Sequence, residues 1–156
     1  PHGNWEVSCF RSEGSQRAWR VIRDGGFGSK IMYQAHNASE SESAYTHGIL
    51  VAGDPLWTDY TLSVKFAPES KKNWSGAVFR YRNDRCLYFF GVKEDQACMF
   101  LLNHGTGPRK STLNVLAQKP YSYRTGEYLT ATVEVNGEHI RASLPGERGV
   151  HREARL

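Results

Sequence analysis

Six side chains carry most of the chemistry this sequence offers: Arg80, Arg82, Tyr88, Asn103, His104 and Trp74. Both arginines stand inside an otherwise apolar and aromatic run, "SGAVFRYRNDRCLYFFGVK", residues 75–93. A buried, unpaired guanidinium is costly. The pattern therefore predicts either a solvated sheet face or acidic partners such as Asp59 or Glu134. On an open face the set suits a sugar. Arginine grips a carboxylate through parallel hydrogen bonds, asparagine directs bonds to hydroxyls, and tyrosine stacks on a pyranose ring.

Strands must position these groups. The run reads as two strands around the turn "RNDRC", residues 82–86. That register pairs Arg80 with Tyr88, Phe79 with Phe89, Tyr81 with Leu87 and Val78 with Phe90. Side chains alternate across a strand. One face is then Ala77, Phe79, Tyr81, Leu87, Phe89 and Gly91, the expected core. The other is Val78, Arg80, Arg82, Tyr88, Phe90 and Val92. A strand over 98–103, after a four-residue turn near "KEDQ", brings Asn103 beside Tyr88 and Leu101 beside Phe90. Trp74 and His104 fall at the rim of this face.

Period-two alternation runs through the rest of the chain, and no segment reads as an amphipathic helix. In 58–66, Tyr60, Leu62, Val64 and Phe66 share one face, with Pro55 and Pro68 bounding the strand. Residues 128–144 read as a hairpin around Asn136-Gly137, the preferred pair for a type I′ turn. Val133 then faces Ile140, Ala131 faces Ala142 and Leu129 faces Leu144. Further strands are expected over 4–9, 19–22, 31–35, 47–52 and 113–117. About ten short strands with frequent turns predict an all-β fold: a two-sheet antiparallel jelly-roll sandwich, as one domain over residues 1–156.

Composition narrows the function classes. The 156 residues are 39% hydrophobic and 12% aromatic, enough for a real core. Net charge is +4, but Lys and Arg are scattered, which argues against a nucleic-acid-binding stripe. No apolar run reaches membrane-span length, so no membrane partner is expected. Three cysteines, Cys9, Cys86 and Cys98, leave at least one thiol free. None is at zinc-ligand spacing, and the register keeps Cys86 and Cys98 too far apart for a disulfide. The start at Pro1 fits a mature product or an excised domain.

Three stretches together resemble a family: "PLWTDYTLSVKFAP", "SGAVFRYRNDRCLYFFGVK" and "GEYLTATVEVNGEHIRASLPG". They are similar to the concanavalin A-like jelly rolls of the laminin-G and exo-inulinase C-terminal type, over residues 45–146. Trp57, Tyr60, Gly76, Phe79 and Asn136-Gly137 match fold positions rather than a catalytic signature. The resemblance implies a carbohydrate-binding or accessory domain of a larger polysaccharide-degrading protein, secreted or periplasmic. Its partners would be a polysaccharide or oligosaccharide and other domains of the same polypeptide. The family's usual closing strand is not recognisable after the late hairpin, which suggests part of a longer chain.

The charge and the two arginines lean toward glycans containing uronic acids. No cofactor is required by this reading, though calcium often accompanies such folds; Glu6, Asp24, Asp54 and Asp59 are the candidate ligands. A polysaccharide lyase is the first alternative, with Arg80 or Arg82 neutralising a carboxylate and Tyr88, His104 or Lys110 abstracting a proton. A glycoside hydrolase needs two facing carboxylates, and Glu94 and Asp95 form no convincing pair. A third alternative is a laminin-G-like protein-interaction domain. There Trp57 reads as packed beside its strand, and Trp74, in "KKNWSG", as the exposed ring.

Overall fold

The computed structural model describes residues 5–8, 19–23, 28–35, 48–104, 111–146 and 150–153. Cys9, Asp24, Lys110 and residues 36–47 lie outside them. The described residues fall into two compact units, within Pro1–Gly53 and within Asp54–Leu156. All regular structure among them is antiparallel strand, with no helix.

The first unit holds two two-stranded pairings. Strand β1 (Glu6–Ser8) and, later in the chain, β4 (Ile49–Val51) form one; β2 (Trp19–Arg23) and β3 (Lys30–Gln34) form the other.

The second unit is the sandwich expected from the alternation. Its strands are β5 (Tyr60–Phe66), β6 (Ser75–Asn83), β7 (Cys86–Lys93), β8 (Gln96–His104), β9 (Ser111–Pro120), β10 (Leu129–Asn136), β11 (His139–Ser143) and β12 (Val150–Glu153). They form two four-stranded sheets, ordered β12-β11-β10-β5 and β6-β7-β8-β9. Both contribute to one core. Phe79, Tyr88, Phe90, Val92, Ala97 and Met99 come from the β6–β9 sheet, and Ala131, Val133, Val135, Ile140 and Ala142 from the other. Strand β12 was not legible: "VHRE" sits at a sheet edge, with no apolar alternation to mark it.

The late hairpin keeps its expected buried face, but its turn moves. Asn136 pairs with His139, so the turn residues are Gly137 and Glu138, and Val133 faces Ala142 rather than Ile140. Only the first of the two has positive φ, +54° at Gly137, which is the type II′ pattern. Tertiary bonds explain the choice. Asp59 Oδ1 accepts from Gly137 N–H at 2.7 Å, and the Arg80 guanidinium donates to the Gly137 carbonyl.

The β6–β7 register also differs. Phe79 pairs with Tyr88 and Asn83 with Cys86, so three residues of β6 lie opposite the single residue Leu87. This is a β-bulge, with Arg80 at φ +46°. The turn is the two-residue Asp84-Arg85 instead of a three-residue loop. Tyr88, Phe90 and Val92 therefore face the core with Phe79, while Leu87, Phe89 and Gly91 take the opposite face. That outer face is apolar as well. Phe89 stacks on Phe100 at 4.7 Å, and Trp74 meets both edge-on at 5.8 and 5.4 Å.

Gly76 and Gly91 sit directly opposite each other on that face. A Cβ on Gly91 would lie 2.2 Å from the Ser75 carbonyl and 2.6 Å from the tip of the Phe89 ring. The glycine pair is what lets that ring lie down on the sheet.

The β7–β8 turn is two residues as well, since Lys93 pairs with Gln96. Glu94 and Asp95 both have positive φ, +50° and +57°. Neighbours hold this unusual non-glycine turn. Lys71 Nζ lies 2.6 Å from the Asp95 carboxylate, the Tyr121 N–H donates to the Asp95 carbonyl at 2.8 Å, and Glu94 N–H donates to the Lys71 carbonyl at 2.9 Å. With this shorter turn Cys98 faces Gly91 rather than Lys93. Cys86 and Cys98 are both free thiols.

Candidate functional site

The six residues singled out from the sequence do not share one face. Tyr88 is only 3% exposed, stacked on Phe79 at 5.5 Å inside the core. Arg80 lies half-buried where the two sheets meet. Its backbone N–H donates to Tyr60 Oη at 3.0 Å, one terminal nitrogen bonds Gly137, and the other is buried without a hydrogen-bond partner. Its guanidinium also lies over the Tyr88 ring, 5.9 Å from the centroid. These contacts tie β5, β6 and the β10–β11 turn together at one end of the sandwich.

Trp74 is at the opposite end. It precedes Ser75, which pairs with Val92, and the Lys93 ammonium lies 5.5 Å from its ring. The length of β6 separates it from Asn83, roughly 30 Å at the usual rise per residue. Its rings of contact are packing contacts on the outer face.

Asn103 and His104 do come together, with two residues that sequence reasoning passed over. Cys86 Sγ donates to Asn103 Oδ1 at 3.8 Å, and Asn83 Nδ2 lies 3.2 Å from His104 Nε2. Asn83 Oδ1 already accepts from the Arg85 N–H at 2.9 Å, which turns its amide nitrogen toward the imidazole. With that amide donating, the neutral imidazole accepts at Nε2 and carries its proton on Nδ1. Asn103 Oδ1 also accepts from the His104 N–H at 2.8 Å. Its acceptor is spent inside the cluster, and its Nδ2 donors remain.

One residue before Asn83 in β6, Arg82 is exposed and makes no hydrogen bond or ion pair among the described residues. The exposed strand end thus offers the Arg82 guanidinium, Asn103 Nδ2 and the His104 Nδ1–H. All are donors, and Asp84 in the turn adds an acceptor. The arrangement can receive oxygen acceptors such as hydroxyls or a carboxylate. The signal in the sequence is the turn "NDRC", in which Asn83 carries no mark beyond that of a turn residue.

The other candidates are placed as follows. Asp95 is engaged by Lys71, which holds its carboxyl below the ordinary aspartate range; Lys71's hydrogen bond is the main cause. Asp54 Oδ1 caps the Leu56 N–H at 2.9 Å, and Asp59 holds Gly137. Glu6 lies in the first unit. Among the described residues no three His, Cys, Asp or Glu side chains converge as a metal site.

Trp57 reverses its expectation: it is 60% exposed, and Leu56 beside it 82%. Comparison with protein-family models, with curated proteins and with solved structures finds no match. The class these observations define is an all-β protein whose second unit is an antiparallel sandwich with a donor-rich strand end.

Proposed function

We propose that Asp54–Leu156 is a glycan-binding domain of the concanavalin A-like jelly-roll kind, accessory to a larger polysaccharide-degrading protein, with a preference for acidic glycans. One observation carries this reading. At the end of β6 and β8, Asn103 and His104 have their acceptors consumed by Cys86 and Asn83, and present donors close in the chain fold to Arg82, which has no partner among the described residues. The β7–β8 pairing and the hydrogen bonds to Cys86 and Asn83 orient Asn103 and His104 before a ligand arrives, so little of their order is lost on binding. A net charge of +4 favours the approach of a polyanion.

The test is affinity electrophoresis and calorimetry against polyuronates and neutral polysaccharides. Binding to the polyuronate should weaken with added salt, because part of the attraction is screened. Arg82→Ala should cost on the order of 1–3 kcal/mol, as for a lost charge-assisted hydrogen bond. Absence of binding to every glycan tried would discard the reading.

A further inference from the structure

Trp57 and Leu56 project from a turn that does not require them. Asp54-Pro55-Leu56-Trp57 is a β-turn, closed by the Trp57 N–H donating to the Asp54 carbonyl at 3.1 Å. Asp54 Oδ1 caps the Leu56 N–H, and Pro55 fixes φ at the second position. The turn is built by Asp54 and Pro55; the two large apolar side chains add nothing to its geometry. Trp57 touches Tyr60, with ring centroids 6.1 Å apart at 51°, and the indole stays largely exposed. Two residues on, Asp59 Oδ1 accepts from Gly137 N–H, and among the described residues Oδ2 has no partner.

The location matters as much as the exposure. Tyr60 Oη accepts from the Arg80 N–H, and Arg80 is three residues before Asn83 in β6. Trp57 and the Asn83–His104 cluster therefore lie at the same end of the sandwich. From Trp57 the path runs 6.1 Å to Tyr60, across the Tyr60–Arg80 bond and over the bulge to Asn83, at most about 10 Å of chain, and an oligosaccharide of several units matches such a span.

We infer that Trp57 is a stacking platform for a neutral sugar unit of the same glycan whose acidic unit meets Arg82, Asn103 and His104. This inference rests on the glycan reading and specifies it. A pyranose lays its apolar C–H face on an aromatic ring, and its hydroxyls project sideways as donors. Asp59 accepts one such donor and repels a carboxylate, so the Trp57 position takes an uncharged unit. The preferred ligand then alternates charged and neutral sugars, and its affinity rises with length until both positions are filled.

The test uses the full chain, with hyaluronan oligosaccharides of graded length as the alternating probe, a polyuronate as the uniformly charged probe and dextran as the neutral one. Isothermal calorimetry on wild type, Trp57→Ala, Trp57→Phe and Arg82→Ala reads the affinities, and thermal melting reports folding. Trp57→Ala should weaken hyaluronan binding roughly tenfold, equally at low and high salt, while Trp57→Phe keeps most of it. Arg82→Ala should weaken it in a salt-dependent way. Trp57→Ala binding like wild type, while Arg82→Ala fails, would overturn the platform and leave the glycan reading standing. Wild type binding no probe would overturn both. Wild type that self-associates in sedimentation, with Trp57→Ala monomeric and unchanged toward glycans, would assign the ring to a protein contact and overturn the platform. Should Trp57→Ala melt abnormally, Trp57→Phe and the length dependence decide: affinity flat with length refutes a second contact point.

Discussion

Gly91→Ala adds one methyl group where the β6–β7 ladder leaves no room. The new carbon would lie 2.2 Å from the Ser75 carbonyl oxygen and 2.7 Å from Gly76 Cα. Carbon–oxygen contacts between strands settle near 3.3 Å, so the overlap with Ser75 is about 1 Å. Both obstacles are backbone, and no rotamer change relieves them. Separating β6 from β7 by that amount stretches the neighbouring ladder hydrogen bonds past their useful range, at about 1 kcal/mol each. Residual strain and the displaced Phe89 ring add about 1–3 kcal/mol. Alanine's smaller conformational entropy returns only about 0.5–1 kcal/mol. The net expectation is about 3 kcal/mol. In a unit of roughly 100 residues that lowers the melting midpoint by about 12–24 °C. Gly137→Ala is the control: its Cβ meets nothing within 4 Å, and only the φ of +54° is unfavourable. It should cost about 1 kcal/mol. Urea titrations of the two variants side by side measure both. Gly91→Ala no less stable than Gly137→Ala would refute the close-approach argument.

Asp95→Asn keeps a residue type that tolerates positive φ and removes only the charge facing Lys71. Because the folded carboxyl titrates below the ordinary 3.8, its stabilisation is present above that value and lost as pH falls through the folded one. The variant should be less stable than wild type at neutral pH, with the gap closing in strong acid; a pH-independent gap counts against the Lys71 pairing. Cys98 is 1% exposed and burial pushes its thiol up, so native alkylation followed by peptide mapping should label Cys86 well before Cys98. Arg80→Ala removes the bond to the Gly137 carbonyl and the contact with Tyr88, and should cost about 1–2 kcal/mol in a denaturant titration. Arg80→Ala as stable as wild type would mean that the arginine does not clamp the β10–β11 turn.

The strands were legible because their apolar residues alternate over a shared core, and Val133, Ala131, Ile140 and Ala142 are buried as the pattern requires. Register was less legible, since it depends on partners far away in the chain. Asn136-Gly137 is the locally preferred turn, yet Asp59 and Arg80 bind Gly137 and move the turn by one residue. The sequence around Arg80 alternates without interruption, so nothing local marks the bulge that carries Tyr88 into the core and Phe89 out of it. Asn103 and His104 were named for their chemistry and do lie together. Asn83 and Cys86, which orient them, were hidden in a turn. Trp57 looked like packing because it adjoins a strand, and no local pattern reveals that a ring stands in water.

The pairing of β5 with β10 has a kinetic consequence. Tyr60 meets Val135 only after the chain has run through all of β6 to β9, whereas those four strands are joined in order, each pairing with the next. Closing short loops costs less entropy than closing one long one, so the β6–β9 meander can assemble from neighbours while β5 is still unattached. The Tyr60–Arg80 and Asp59–Gly137 bonds belong to the step that brings β5 in. They form late, and their loss should speed unfolding far more than it slows folding.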